Sequence, residues 1–184
     1  MQAAFETALD ELKAVASRID AGAVAGACET IARARRVVLY GCGREGLQMR
    51  GFAMRLHHLG CEVAMQGDMA APPVGPGDLL IVSAGPGEIA TVTALMQIAK
   101  GAGAGVLFLT AEPDTPAAAL ATEVLTIPAQ TMARDQGAGA SSVLPMGSVY
   151  EGALFLLFEI MVLRLRDRLG ETAETMRARH TNLE

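Results

Sequence analysis

Tryptophan is missing from the 184-residue chain, and aromatic residues together make up only 4% of it. Cysteine is scarce as well. Cys28, Cys42 and Cys61 lack metal-type spacing, and their odd number argues against a disulfide framework. Cys28 and Cys61 sit in apolar contexts and read as small core residues. Cys42 lies in a glycine turn, where a reactive thiol is the lesser reading. Positive charge is in deficit, with 15 Lys and Arg against 20 Asp and Glu and a net charge of −5. That balance leaves no electrostatic footprint for nucleic acid or an anionic membrane surface. A neutral or mildly anionic small molecule remains a compatible partner, provided cationic groups are placed locally. No run is long enough to cross a bilayer: the most apolar stretch, GALFLLFEIMVL at 152–163, contains Glu159 and is too short. Glu6, Asp10, Glu11 and Lys13 leave no apolar signal-peptide region, so a cytoplasmic location is expected. No repeat or domain linker interrupts the sequence, and its length is that of a single domain, 1–184.

What is present is 51% hydrophobic and rich in Ala, Gly, Leu and Val, a composition suited to a soluble α/β protein. Phe5, Ala8, Leu9, Leu12 and Val15 fall at helical spacing and predict an amphipathic helix over 3–18. A weaker helix is expected at 21–34, completing an N-terminal helical region of 3–34. Apolar runs too short for helices follow at 37–41, 61–66, 79–83, 105–109 and 123–127. Helical stretches at 44–59, 87–101 and 115–121 separate most of them. This alternation, spanning a sheet core of 36–128, predicts a parallel sheet with helices on both faces. The segment 67–78 has three prolines and three glycines and cannot hold a regular crossover helix. Residues 128–144 read as a loop whose GAGASS centre suggests mobility. A long helix at 146–168 and a charged stretch form a C-terminal helical region of 145–182.

The stretch VVLYGCGREGLQMR (37–50) carries Gly41, Gly43 and Gly46 between a strand and a helix. This satisfies the dinucleotide fingerprint, with Glu62 and Asp68 as candidate ribose acids. Two features oppose that reading: the Pro/Gly segment replaces the helix after strand two, and Glu45 would face a pyrophosphate. A second glycine loop, SAGPGEIATV (83–92), also follows a strand and opens a helix. The two loops belong together if the strand order is 2-1-3-4-5. In that order strands one and three are neighbours whose connections leave to opposite sides, and their crevice is where open α/β sheets bind ligands. Glycines that serve only tight turns are the plain alternative for each loop.

Four blocks, VVLYGCGREGLQMRGFAMRLHHLG, GPGDLLIVSAGPGEIATV, PMGSVYE and RHTNLE, occur in an order that resembles the sugar isomerase (SIS) domain, closest to 6-phospho-3-hexuloisomerases. The resemblance implies a three-layer αβα fold with a five-stranded parallel sheet in the order 2-1-3-4-5. It also implies a homodimer or homotetramer with sites between subunits, and no cofactor or metal. The implied activity is aldose–ketose isomerisation of a sugar or sugar phosphate through an enediol, which needs a base beside the carbonyl. On this resemblance Glu151 is the base, His180 assists ring opening or proton shuttling, and His58 is a further substrate-site candidate. Gly43, Arg44, Glu45, Ser83, Gly85, Gly87 and Glu88 are the remaining substrate-binding candidates. Independently of any family, Glu151 begins an apolar helix behind a loop, where desolvation favours a raised pKa. The helix that follows is too apolar all round for a surface helix and is expected at a subunit interface.

The sequence departs from the family where phosphate is held. The serine of the first loop is Glu45, and three hydroxyl positions of the second are Ala84, Pro86 and Ile89. Met69, Ala70 and Ala71 replace hydroxyls in a third segment. A hydrogen bond to a charged group contributes about 1.5–3 kcal/mol. A carboxylate near a dianion costs about 4 kcal/mol per charge pair at roughly 4 Å and an effective dielectric near 20. An altered substrate is therefore expected, unless Glu45 points outward and pairs with an arginine. Two other readings stand beside the isomerase: a non-catalytic sugar-binding module, and a lyase or other enolising enzyme on an unphosphorylated substrate.

Overall fold

Runs of aliphatic residues pair side by side in this computed structural model, which describes residues 1–137 and 140–183. Two helices come first, α1 (Gln2–Ala16) and α2 (Ala21–Arg33), the second capped by the Asp20 carboxylate accepting from the Ala23 N–H. Then β1 (Arg36–Gly41), α3 (Gly43–His58), β2 (Val63–Met65), β3 (Asp78–Ser83), α4 (Ala90–Gly101), β4 (Gly105–Thr110) and β5 (Glu123–Thr126) follow. The chain closes with α5 (Ser148–Leu169) and α6 (Ala173–Ala178). All strand pairs are parallel, and the sheet order is β2-β1-β3-β4-β5, as the two glycine loops required.

Alternate strand residues enter different layers. Val37, Leu39, Leu79, Ile81, Leu107 and Leu109 join α1, α2, α3 and α5 on one face. Val38, Leu80, Val82, Val106 and Phe108 pack under α4 on the other. Central β3 is buried along its whole length, which is why it reads as an unbroken apolar run.

Three expectations about elements need correction. The helix expected over 115–121 is a single 3-10 turn, Ala118–Leu120, because Pro116 and the short run leave too little for a helical nucleus. Helix α4 starts at Ala90 rather than 87, since Gly87 sits in a turn with φ +89° and its N–H donates to the Ala84 carbonyl. Strand β2 keeps only three residues at the sheet edge. Ala138 and Gly139 of GAGASS and Glu184 of RHTNLE lie outside the described residues. No helix among the described residues is long and apolar enough to cross a membrane.

Candidate active site

Register brings the two glycine loops together, because Gly41 at the end of β1 pairs with Ser83 at the end of β3. The chain then leaves β1 towards the α3 face and β3 towards the α4 face, which opens a crevice at the switch point. Glycine is required here by close approach. A Cβ on Gly46 would stand 2.5 Å from the Gly41 carbonyl oxygen, so no other residue lets α3 seat on β1. A Cβ on Gly85 would meet the Tyr150 ring at 3.0 Å.

The crevice holds a cavity of about 330 Å³ that gathers side chains from α3, the second glycine loop and the start of α5. Gly43, Arg44, Glu45, Pro86, Ile89, Tyr150 and Glu151 are among its walls. Helix α5 enters through two consecutive left-handed residues, Met146 (φ 55°) and Gly147 (φ 76°). Strain of this kind at a non-glycine residue persists only where its surroundings hold it. Arg44 supplies part of that hold, donating to the Met146 carbonyl and, at 2.9 Å, to Ser148 Oγ. The same guanidinium lies 3.2 Å from the Glu151 carboxylate, of whose side chain 16% remains exposed.

Glu45 turns inward. Its carboxylate accepts from Ser83 Oγ at 2.5 Å and from the Gly85 N–H at 3.1 Å to each oxygen. Ser83 Oγ lies 3.2 Å from the hydroxyl of Tyr150, a fully buried ring. The outward-facing alternative, with Glu45 paired to an arginine, is not what the structure shows.

Burial raises the Glu151 carboxyl above its ordinary range; Arg44 opposes the rise and the Glu45 charge adds to it. Burial also raises Glu45, against the hydrogen bonds from Ser83 and Gly85. Desolvation and then the Glu45 charge lift Tyr150 well above its usual value, so its phenol stays protonated. The site thus joins a partly desolvated carboxylate, a cation beside it and a neutral phenol. These suit abstraction of a proton next to a carbonyl.

Of the candidates read from sequence, Gly43, Arg44, Glu45 and Glu151 meet around the cavity, and Ser83 and Gly85 stand behind Glu45. Gly87 shapes the second loop, where a Cβ would stand 2.7 Å from Glu112 Cβ. Glu88 is exposed and does not line the cavity. His58 and His180 stack at 5.2 Å beside a different cavity that includes Arg55, Arg166 and Arg177. They stand at the far end of α3, about 20 Å from Arg44 by helical rise. Sequence reasoning missed Tyr150 and Thr131. Tyr150 had a legible signal, being one of two tyrosines and adjacent to Glu151. Thr131, buried against the same cavity, had none. Among the described residues no three His, Cys, Asp or Glu side chains are placed to hold a metal ion.

A twisted parallel sheet covered on both faces, with its cavity at the switch point, defines an open α/β protein of flavodoxin-like strand order. Residues 30–156 match the SIS domain, and the chain belongs to that family. It is 38% identical over 175 residues to the 3-hexulose-6-phosphate isomerase of Mycobacterium gastri, covering 95% of this chain and 87% of that one. The crystal structure of a Methanococcus jannaschii protein, inferred to be a 3-hexulose-6-phosphate isomerase, superposes with a TM-score of 0.84 at 22% identity over 98% of both chains. The Vibrio vulnificus NanR protein in complex with ManNAc-6P superposes with a TM-score of 0.77 at 24% identity, over 96% of this chain and 66% of that one. The last two likenesses bear on the fold alone.

Proposed function

We propose that the protein is an aldose–ketose isomerase working through an enediol, with Glu151 as the base. The observation that carries this reading is the Glu151 carboxylate, shielded at the cavity wall, paired with Arg44 and raised by burial. Glu151 takes the proton from the hydroxyl-bearing carbon beside the carbonyl; that C–H pair forms the C=C bond while the carbonyl π pair moves to its oxygen, which takes up a proton. Return of the proton from Glu151 to the former carbonyl carbon, with loss of the adjacent hydroxyl's proton, completes the shift of the carbonyl. Arg44 holds the carboxylate in place and offsets negative charge that develops on the substrate oxygens. The kinship with a 3-hexulose-6-phosphate isomerase supports a sugar substrate. That substrate differs from the relative's, because Pro86 and Ile89 wall the cavity where the family resemblance expects hydroxyls.

His180 acts in the site of a neighbouring copy, since its own Glu151 lies at the other end of α3. Phe155, Leu156, Ile160 and Leu163 leave an apolar stripe exposed along α5, which supports self-association into a dimer or tetramer. Glu151→Gln is expected to lower turnover by at least about 100-fold while leaving thermal stability within a few degrees. Sugar isomerisation followed by deuterium uptake from solvent reads it. Full activity in that variant would remove Glu151 as the base. A sugar that raises the melting temperature with no deuterium uptake would favour a sugar-binding module instead.

A further inference from the structure

A loop that follows a strand and turns on glycines offers backbone N–H groups and hydroxyls to an anion. In this protein the second loop has its donors on a side chain of the protein itself. The Gly85 N–H is shared between both Glu45 oxygens, and the Ser83 hydroxyl donates to one of them. These donors come from residues 38 and 40 positions away in sequence, and both are buried. The carboxylate of the first glycine loop therefore sits in a seat built by the second. It is not a surface glutamate that happens to lie nearby.

Among the described residues the remaining walls add no free cation. Among the described residues lining the cavity Arg44 is the one cation, and it is engaged with Glu151, Ser148 Oγ and the Met146 carbonyl. Two carboxylates against one guanidinium leave the cavity with an excess of negative charge whenever both are ionised. An incoming phosphate would have to displace Glu45 from its donors or bind beside it. Each route opposes binding, the first by stranding a carboxylate in a buried position and the second by direct repulsion.

We propose that Glu45 is the resident anion of the second glycine loop and the specificity determinant of the cavity, which admits polyhydroxy carbonyl compounds uncharged at that end. The carbonyl part of this statement rests on the isomerase reading; the filled seat rests on geometry alone. Glutamate performs this role because its carboxylate reaches across from the first turn of α3 to Ser83 and Gly85. A serine at the same position would end well short of them and leave both donors to a ligand.

The test titrates the unaltered protein, Glu45→Ser and Glu45→Gln with inorganic phosphate, fructose 6-phosphate and fructose by calorimetry at about pH 8, well above the ordinary carboxyl range. Glu45→Ser should bind phosphate and fructose 6-phosphate about 100-fold more tightly than the unaltered protein, with fructose affinity changed by less than about tenfold. Glu45→Gln removes the charge and keeps the bulk, so it should gain part of that factor. It decides the matter should the serine variant fail to fold. Equal phosphate affinity in all three proteins would overturn the proposal, as would unaltered protein that prefers fructose 6-phosphate to fructose. Inorganic phosphate undergoes no turnover, so this result is independent of whether Glu151→Gln abolishes isomerisation.

Discussion

Glu151 has two charged neighbours that pull its proton affinity in opposite directions, and this makes its role open to a directional test. Arg44 lowers the carboxyl pKa and Glu45 raises it, with burial the largest influence. A base must be ionised, so the acidic limb of kcat/KM against pH should lie above the ordinary 4.5 of a glutamate. Arg44→Met removes the lowering influence and should move that limb to higher pH. Glu45→Gln removes a raising one and should move it lower. A limb that moves the same way in both variants would show that Glu151 is not the titrating group. The same shifts bear on stability. Both carboxyls bind protons more tightly in the folded state, so folding takes up protons between 4.5 and the folded values. Their contribution is therefore full below 4.5 and is lost as pH rises through the folded values.

Helix α5 connects the site to the core. Its first turn carries Tyr150 and Glu151, and two turns later the Phe158 ring stacks on Phe52 of α3, with centroids 4.2 Å apart and planes 4° from parallel. That stack fixes the register between the helix that holds Arg44 and the helix that holds Glu151. Phe158→Ala should cost about 3–5 kcal/mol in urea unfolding, the range for emptying a buried aromatic site. An effect under about 1 kcal/mol would mean that the two helices are registered elsewhere. The sheet and α5 were legible in sequence because each strand is a short apolar run between turn residues and α5 is long and continuous. The 115–121 segment looked helical by composition, yet seven residues with a proline cannot pay the nucleation cost that tertiary contacts cover elsewhere. Within the candidate site, Arg44, Glu45 and Glu151 could be nominated from local pattern and family resemblance. The inward turn of Glu45 could not, because Ser83 and Gly85 become its neighbours only through the pairing of β1 with β3. Tyr150 was legible as a neighbour of Glu151, but its place behind Glu45 was not, since its hydroxyl partner is 67 residues away.

At the scale of the whole molecule one chain separates what the proposed chemistry joins. Arg44 and Glu151 stand at the C-terminal edge of the sheet, while His180 stacks on His58 at the opposite end of α3. Flexing α6 does not close a gap of about 20 Å, because Arg179 ties the segment down through the His58 carbonyl and the Glu171 carboxylate. A second copy is the economical source of the missing histidine, and the exposed stripe on α5 offers a surface to bring it in. Ile160, 58% exposed at the middle of that stripe, is the residue to charge. Ile160→Glu should reduce the light-scattering mass to that of one chain and reduce turnover with it, since a monomer has no histidine to lend. Mixing separates this from simple loss of stability. Glu151→Gln and His180→Ala protomers, each inactive alone, should regain about a quarter of full activity when unfolded and refolded together as dimers, because half of the pairs then hold one intact site of two. Recovery of that size requires the glutamate and the histidine of one site to come from different chains. No recovery, with mixed oligomers shown by mass spectrometry to have formed, would put the glutamate and histidine of one site on the same chain, whereas full activity of His180→Ala alone would place His180 outside the reaction and leave Glu151, Arg44 and Tyr150 to carry it.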